Sequence, residues 1–184
     1  ITIRTPAGGG IRGGHHHSQS PESQFTHTPG LKVVYSSTPY NAKGLLISAI
    51  ESEDPVIVFE PKRCYRGPFY GDPHKVPTWS GHAEAEVPDL HYTVPIGEAR
   101  LVTEGNDCTV IAWGTMVHVC EEGIRQSGAS CDLIDLQSLI PWDREAVVRS
   151  VKKTGRCVIV HEAPKTSGYG AVSYTHLTLP TINW

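Results

Sequence analysis

Residues 30–61 read GLKVVYSSTPYNAKGLLISAIESEDPVIVFEP, and the order of patterns inside this stretch decides the fold. The run ending at Tyr35 is short and apolar, as a buried strand requires. Thr38 then precedes Pro39, a hydroxyl that can cap free amides followed by the residue best suited to a first helical turn. Leu45, Leu46, Ala49 and Ile50 recur at helical spacing. The stretch DPVIVFEP closes the unit with a continuous apolar centre bounded by prolines, the pattern of a strand covered on both faces in a parallel sheet. Strand, helix, strand in that order predicts a right-handed βαβ crossover.

Outward from this unit the same rhythm appears once more. Upstream, Ile1-Thr2-Ile3 is β-branched strand material, followed by glycine turns at Gly8-Gly9-Gly10 and Gly13-Gly14. Downstream, the stretch from Gly67 to Pro95 holds five prolines and three glycines, too many breakers for regular structure, so a domain boundary belongs there. Beyond it, CTVIAW (Cys108 to Trp113) and CDLIDL (Cys131 to Leu136) read as strands around a helix from about Met116 to Gln126. Asp143 caps REAVVRSVKK, Gly155 stops it, and RCVIVHEAP is a third strand. Alternation of this kind predicts an α/β fold with doubly wound parallel sheets. His161-Glu162 falls at the carboxyl end of a strand, where such sheets place ligands.

Composition narrows the class without naming a partner. The chain has 184 residues, 39% of them hydrophobic, enough to bury a core. Sixteen basic against nineteen acidic residues leave a net charge of -3, and no run of one sign suggests a nucleic-acid or membrane surface. No apolar run approaches the roughly 18 residues of a membrane span. The five cysteines, Cys64, Cys108, Cys120, Cys131 and Cys157, are dispersed and never form C-x-x-C, against both zinc and a disulfide framework. The only methionine is Met116, so the expectation is an internal fragment.

The last stretch, VSYTHLTLPTINW, breaks the rhythm before it. Val172 to Thr181 is similar to a sequencing-library adapter translated in frame, and residues 172–184 are therefore expected not to be native. A natural β-rich terminus is the alternative that propensity alone allows.

Taken together, TIRTPAGGGIRGGHHHSQSPESQFTHTPG, the βαβ unit with its continuation KRCYR, GNDCTVIAWGTMVHV, LIDLQSLIPWDREAVVRSVKKTGR and VIVHEAPKTSGYGA resemble, in order, the beta subunits of the thiamine-diphosphate-dependent 2-oxo acid dehydrogenases. HSQSPE, FEPKRCYR and IPWD are more similar to the branched-chain enzymes than to the pyruvate enzymes. The resemblance implies the C-terminal portion of a transketolase-like pyrimidine-binding domain over residues 1–66, a connector at 67–95, and a truncated transketolase C-terminal-like domain at 96–171. It implies an α2β2 heterotetramer with an alpha subunit, thiamine diphosphate and Mg2+ shared between the chains, and a lipoyl-bearing acyltransferase core as acyl acceptor. A bacterial cytoplasm or mitochondrial matrix would be the setting. The cofactor-binding residues themselves are expected upstream of Ile1 and on the alpha chain, so this polypeptide alone is expected to be inactive. A pyruvate dehydrogenase beta subunit, another transketolase relative, and a non-catalytic assembly module are the competing readings.

The histidine triplet His15-His16-His17 raises the site question most sharply. Adjacent side chains diverge, so a shared metal is disfavoured, and three internal histidines make a poor tag. All three could simply line a loop. The resemblance singles out His17, on the family's H-S-Q histidine, as the catalytic group: a positioned imidazole can protonate a developing thiolate in acyl transfer to the lipoyl group, or steady the substrate carboxylate. It also places a monovalent cation, K+, at Ile1, Thr2, Ala49, Ser52 and Asp54, held largely by backbone carbonyls, where the free carbonyls of a helix end are the plain alternative. His161-Glu162 is expected to be a hydrogen-bonded structural pair.

Overall fold

The computed structural model describes residues 1–10, 13–66 and 84–171. The adapter-like tail and the first seventeen residues of the expected connector lie outside them. Residues 84–95 carry no helix or strand.

The first half builds β1 (Thr2–Ala7), a 3-10 turn (His15–His17), α1 (Glu22–Thr26), β2 (Lys32–Tyr35), α2 (Pro39–Glu51), β3 (Val56–Pro61) and a second 3-10 turn (Lys62–Arg66). β1, β3 and β2 lie side by side and parallel, and the crossover runs from β2 through α2 to β3. Thr38 caps α2 as its position predicts: its hydroxyl accepts the Asn41 N–H, and Asn41 Oδ1 accepts the Thr38 N–H at 2.8 Å, a reciprocal capping box. β3 is buried along Val56–Phe59, in agreement with its unbroken apolar run.

The apolar stripe on α2 is rotated from its expected position. Leu45 and Ala49 are buried, but Ile50 is 65% exposed, and Asn41 and Gly44 take the inner face instead. The close approach of Val94 explains this. A β-carbon on Gly44 would sit 2.5 Å from a Val94 methyl, so the helix lies against the connector on its glycine side.

The second half adds β4 (Arg100–Thr103), β5 (Cys108–Ala112), α3 (Thr115–Ser127), β6 (Cys131–Asp135), β7 (Ser138–Ile140), α4 (Arg144–Thr154) and β8 (Cys157–Val160). Asp143 accepts the Ala146 N–H at the start of α4, and Gly155 ends it in the left-handed conformation, φ 69°. β6, β5 and β8 are parallel.

The expected α/β fold with parallel sheets is present, and the structure adds a detail to it. Each four-stranded sheet carries one antiparallel edge strand, in the orders β1-β3-β2-β7 and β4-β6-β5-β8. β7 comes from the second half yet pairs with β2 of the first, so the two halves share a sheet. Both added strands are short, and tertiary pairing rather than a sequence period makes them strands. One apolar cluster joins the halves: Tyr35 and Phe59 from the first pack with Trp113, Leu136, Leu139 and Tyr169 from the second.

A buried polar joint reinforces that contact. Asp135 is fully buried, and Ser37, Asn41, Arg100 and the Gln137 amide all donate to its carboxylate. His118 Nε2 lies 2.7 Å from the Ser37 carbonyl on the same seam. Burial pushes the Asp135 carboxyl above its ordinary value, partly offset by Arg100 and Ser37. Because every neighbour is a donor, the ionised form is the one this pocket fits.

Candidate active site

The glycines between β1 and the histidine turn permit close approaches at Gly8 and Gly10. Gly8, at φ 82°, would place a β-carbon 2.5 Å from Glu162 Oε2; Gly9 faces Ser18; Gly10 faces the Arg63 side chain. The Gly8 N–H donates to the Gln19 carbonyl at 2.8 Å and closes the base of the loop. Within it, the Ser18 hydroxyl donates to Gly14 and the Gln19 amide to His15, which fixes the turn by local bonds.

All three histidines of the turn are exposed. The rings of His15 and His16 lie 3.8 Å apart, centroid to centroid, at 41°. His17 is held through its backbone: its carbonyl accepts from Lys62 Nζ at 2.7 Å, and the same ammonium reaches the Gly8 carbonyl at 3.3 Å. Among the described residues, no group of three or more His, Cys, Asp or Glu side chains is placed to hold a metal ion.

Beneath this loop, the HSQSPE stretch delivers Glu22 into the interior. Glu22 is only 1% exposed; Trp113 donates its indole N–H to Oε1 at 3.3 Å, and Oε2 has no hydrogen-bond partner among the described residues. Burial pushes this carboxyl above its ordinary value, against the pull of its own backbone amide and the Trp113 indole. Tyr35 nearby is raised well above the usual phenol value by burial first and by the Glu22 and Glu162 carboxylates second. Cys64 is pushed up to about 12 by burial, so its thiol is inert near neutrality.

His161 and Glu162 separate rather than pair. His161 stacks on Trp113 at 5.3 Å and 8°, with Nδ1 buried, while Glu162 turns toward Gly8 and Gly9. The local geometry enforces this: Gly168 and Gly170 approach the imidazole so closely that it fills its own niche. The sequence singled out His161-Glu162 but not Glu22, Lys62 or Trp113. For Lys62 the signal available was the Gly8–Gly10 run, since consecutive glycines mark a backbone that others must approach; Glu22 and Trp113 had no such signal.

The five residues expected around a monovalent cation gather at one corner. Thr2 donates its hydroxyl to the Ala49 carbonyl at 2.8 Å near the end of α2, and Ile1 offers its carbonyl to the Val56 N–H at 2.9 Å. Ser52 follows the last turn, and Asp54 is paired with Lys32 at 2.9 Å, whose ammonium also reaches Ser52 at 3.2 Å. The oxygen donors suit a weakly hydrated cation, but Lys32 already balances the one carboxylate.

Comparisons with known proteins bear on the two domains. The family model "Transketolase, pyrimidine binding domain" matches residues 1–68, and "Transketolase, C-terminal domain" matches residues 97–179. The second match runs eight residues past Ala171, into the stretch read as adapter-like. A curated relative, 2-oxoisovalerate dehydrogenase subunit beta of Pseudomonas aeruginosa, is 53% identical over 172 residues, 93% of this chain and 49% of its own length. The mitochondrial 2-oxoisovalerate dehydrogenase subunit beta of Dictyostelium discoideum is 52% identical, over 93% of this chain and 43% of its own length. This chain thus spans about half the length of the curated relatives it matches. Among solved structures, one described as a split gene transketolase, inactive beta4 tetramer, superposes with a TM-score of 0.71 at 23% identity, covering 96% of this chain and 52% of that one. The chain belongs to the transketolase family, with a pyrimidine-binding domain followed by a transketolase C-terminal domain, and within that family it is similar to the beta subunits of 2-oxoisovalerate dehydrogenase.

Proposed function

We propose that this chain is part of a beta subunit that, with an alpha subunit in an α2β2 heterotetramer, decarboxylates branched 2-oxo acids and passes the acyl group to lipoyl arms of an acyltransferase core. The observation that carries this reading is identity of 53% with a 2-oxoisovalerate dehydrogenase beta subunit over 93% of the chain. A bacterial cytoplasm or a mitochondrial matrix is the compartment that fits.

Thiamine diphosphate, when bound, supplies the carbon nucleophile that adds to the 2-oxo carbon and lets carbon dioxide leave. We assign the diphosphate and Mg2+ contacts to the alpha subunit and to other beta-chain residues. What this chain contributes is the His17 loop. An exposed imidazole on a loop anchored by its backbone can reach a substrate entering from solvent. As the lipoyl S–S bond opens, one sulfur takes the acyl group and His17 gives its proton to the other, so that no thiolate leaves unprotonated. K+ at the Ile1, Thr2, Ala49, Ser52 and Asp54 corner would brace the end of α2 against β1.

The test is substrate preference of the complete enzyme, full-length beta chain assembled with its alpha subunit. Decarboxylation of 2-oxoisovalerate should exceed that of pyruvate at least tenfold in kcat/KM. Equal or reversed preference would assign the chain to the pyruvate enzymes instead.

A further inference from the structure

The loop that bears His17 is gripped by two opposite charges, one from each domain. Lys62, just after β3, donates to carbonyls at both ends of the loop, Gly8 at 3.3 Å and His17 at 2.7 Å. Glu162, just after β8, lies against the first turn. Its Oε2 occupies the space where any side chain on Gly8 would be, and the Gly9 backbone hydrogen-bonds its carboxylate. Lys62 and Arg63 face Glu162 electrostatically, and Glu22 opposes it from below. Neither Lys62 nor Glu162 touches the His17 ring through any described hydrogen bond; both act on the main chain.

We propose that Lys62 and Glu162 are positioning residues that clamp the backbone at Gly8, Gly9 and His17, so that the C-terminal domain sets where the His17 imidazole points. The inference rests on the assignment of His17 as proton donor, but the clamp itself is a separate physical claim. Lys62 ties the loop to β3 of its own domain. Glu162 ties it to β8 of the other. A shift between the domains therefore moves the imidazole, while the chemistry of carbon dioxide loss, which does not use this proton, is left alone.

The test uses the complete alpha–beta enzyme carrying Lys62→Met, Glu162→Ala, the conservative Lys62→Arg and Glu162→Gln, and His17→Ala as control. Two half-reactions are measured: acyl transfer to a lipoyl domain, and decarboxylation read with an artificial oxidant that needs no lipoyl protonation. Hydrogen–deuterium exchange of the peptide spanning residues 8–19 is followed alongside. Lys62→Met and Glu162→Ala are expected to slow acyl transfer about 10- to 100-fold, the scale of a misplaced catalytic group, and to leave decarboxylation within about twofold. Exchange of the loop amides should rise at least about tenfold as the loop opens locally. Lys62→Arg, which keeps the donors, and Glu162→Gln, which still accepts from Gly9, should restore most of both signals. Unchanged loop exchange in both truncations would overturn the clamp, as would equal loss of the two half-reactions. If Glu162→Ala fails to assemble, Lys62→Met alone decides. Intact acyl transfer in His17→Ala would remove the role of His17, while loop exchange would still judge the clamp.

Discussion

Replacing Asp135 by alanine should weaken the joint between the two domains by an amount the structure lets one work out. The carboxylate accepts from Ser37, Asn41, Arg100 and the Gln137 amide, and all but Arg100 are almost fully buried. Asn41 keeps other acceptors, Gln137 Oε1 at 3.2 Å and Ser37 Oγ at 3.0 Å, and Arg100 is exposed enough to recruit water. The Ser37 hydroxyl and the Gln137 N–H lose their acceptor. Two orphaned buried donors cost about 1–3 kcal/mol each, and release of a buried charge offsets part of this, leaving a net loss of about 3 kcal/mol. For a chain of this size that is a fall in Tm of roughly 6–12 °C. The assay is thermal unfolding of wild type, Asp135→Ala, Ser37→Ala and the double variant. The Ser37 and Asp135 losses should overlap, with a coupling of about 1 kcal/mol or more. A drop below about 3 °C, or strict additivity, would refute the picture of a shared carboxylate hub.

Three further outcomes follow from the same geometry. Asp132 is buried, which raises its carboxyl, but hydrogen bonds from Lys153 at 2.7 Å, from Ser150 and from the Gly105 amide outweigh burial and hold it below its ordinary value. A depressed folded value contributes stability that is present above the unfolded value, about 3.9, and lost as pH falls through the folded one. Asp132→Asn should thus be less stable than wild type at pH 7 in denaturant titrations, with the gap closing below about pH 4. If a cation binds the Thr2–Ala49 corner, KCl should raise Tm over LiCl at equal ionic strength, by about 2.7 kcal/mol of stability at a hundredfold excess over Kd; identical melting curves would remove the ion. Gly114→Ala should destabilise by about 1 kcal/mol or more in the same melts, because φ is 57° there and the new methyl would meet the Tyr35 ring.

Much of the fold was legible where a local signal carried it. The Thr38-Pro39 start of α2, the Asp143 cap and Gly155 stop of α4, and the unbroken apolar run of β3 are each written within a few residues, and each appears where expected. β4 and β7 were not legible, because three or four residues cannot show a period and their partners β6 and β2 create them. Ile50 misled for a related reason: Gly44 against Val94 turns the helix, and neither residue signals this alone. His17 stands out as a sequence motif, and its loop is built by local bonds. Its anchoring by Lys62 and Glu162 depends on segments far along the chain, which only the folded arrangement brings together.

The most direct measurement is single-turnover acyl transfer from 2-oxoisovalerate to a lipoyl domain by the assembled enzyme with and without His17→Ala. The account predicts a loss of roughly 100-fold or more, the size of a missing general acid, with decarboxylation itself spared. Transfer at the wild-type rate would mean that this imidazole carries no proton in the reaction, and the chain's part would reduce to holding the subunits together.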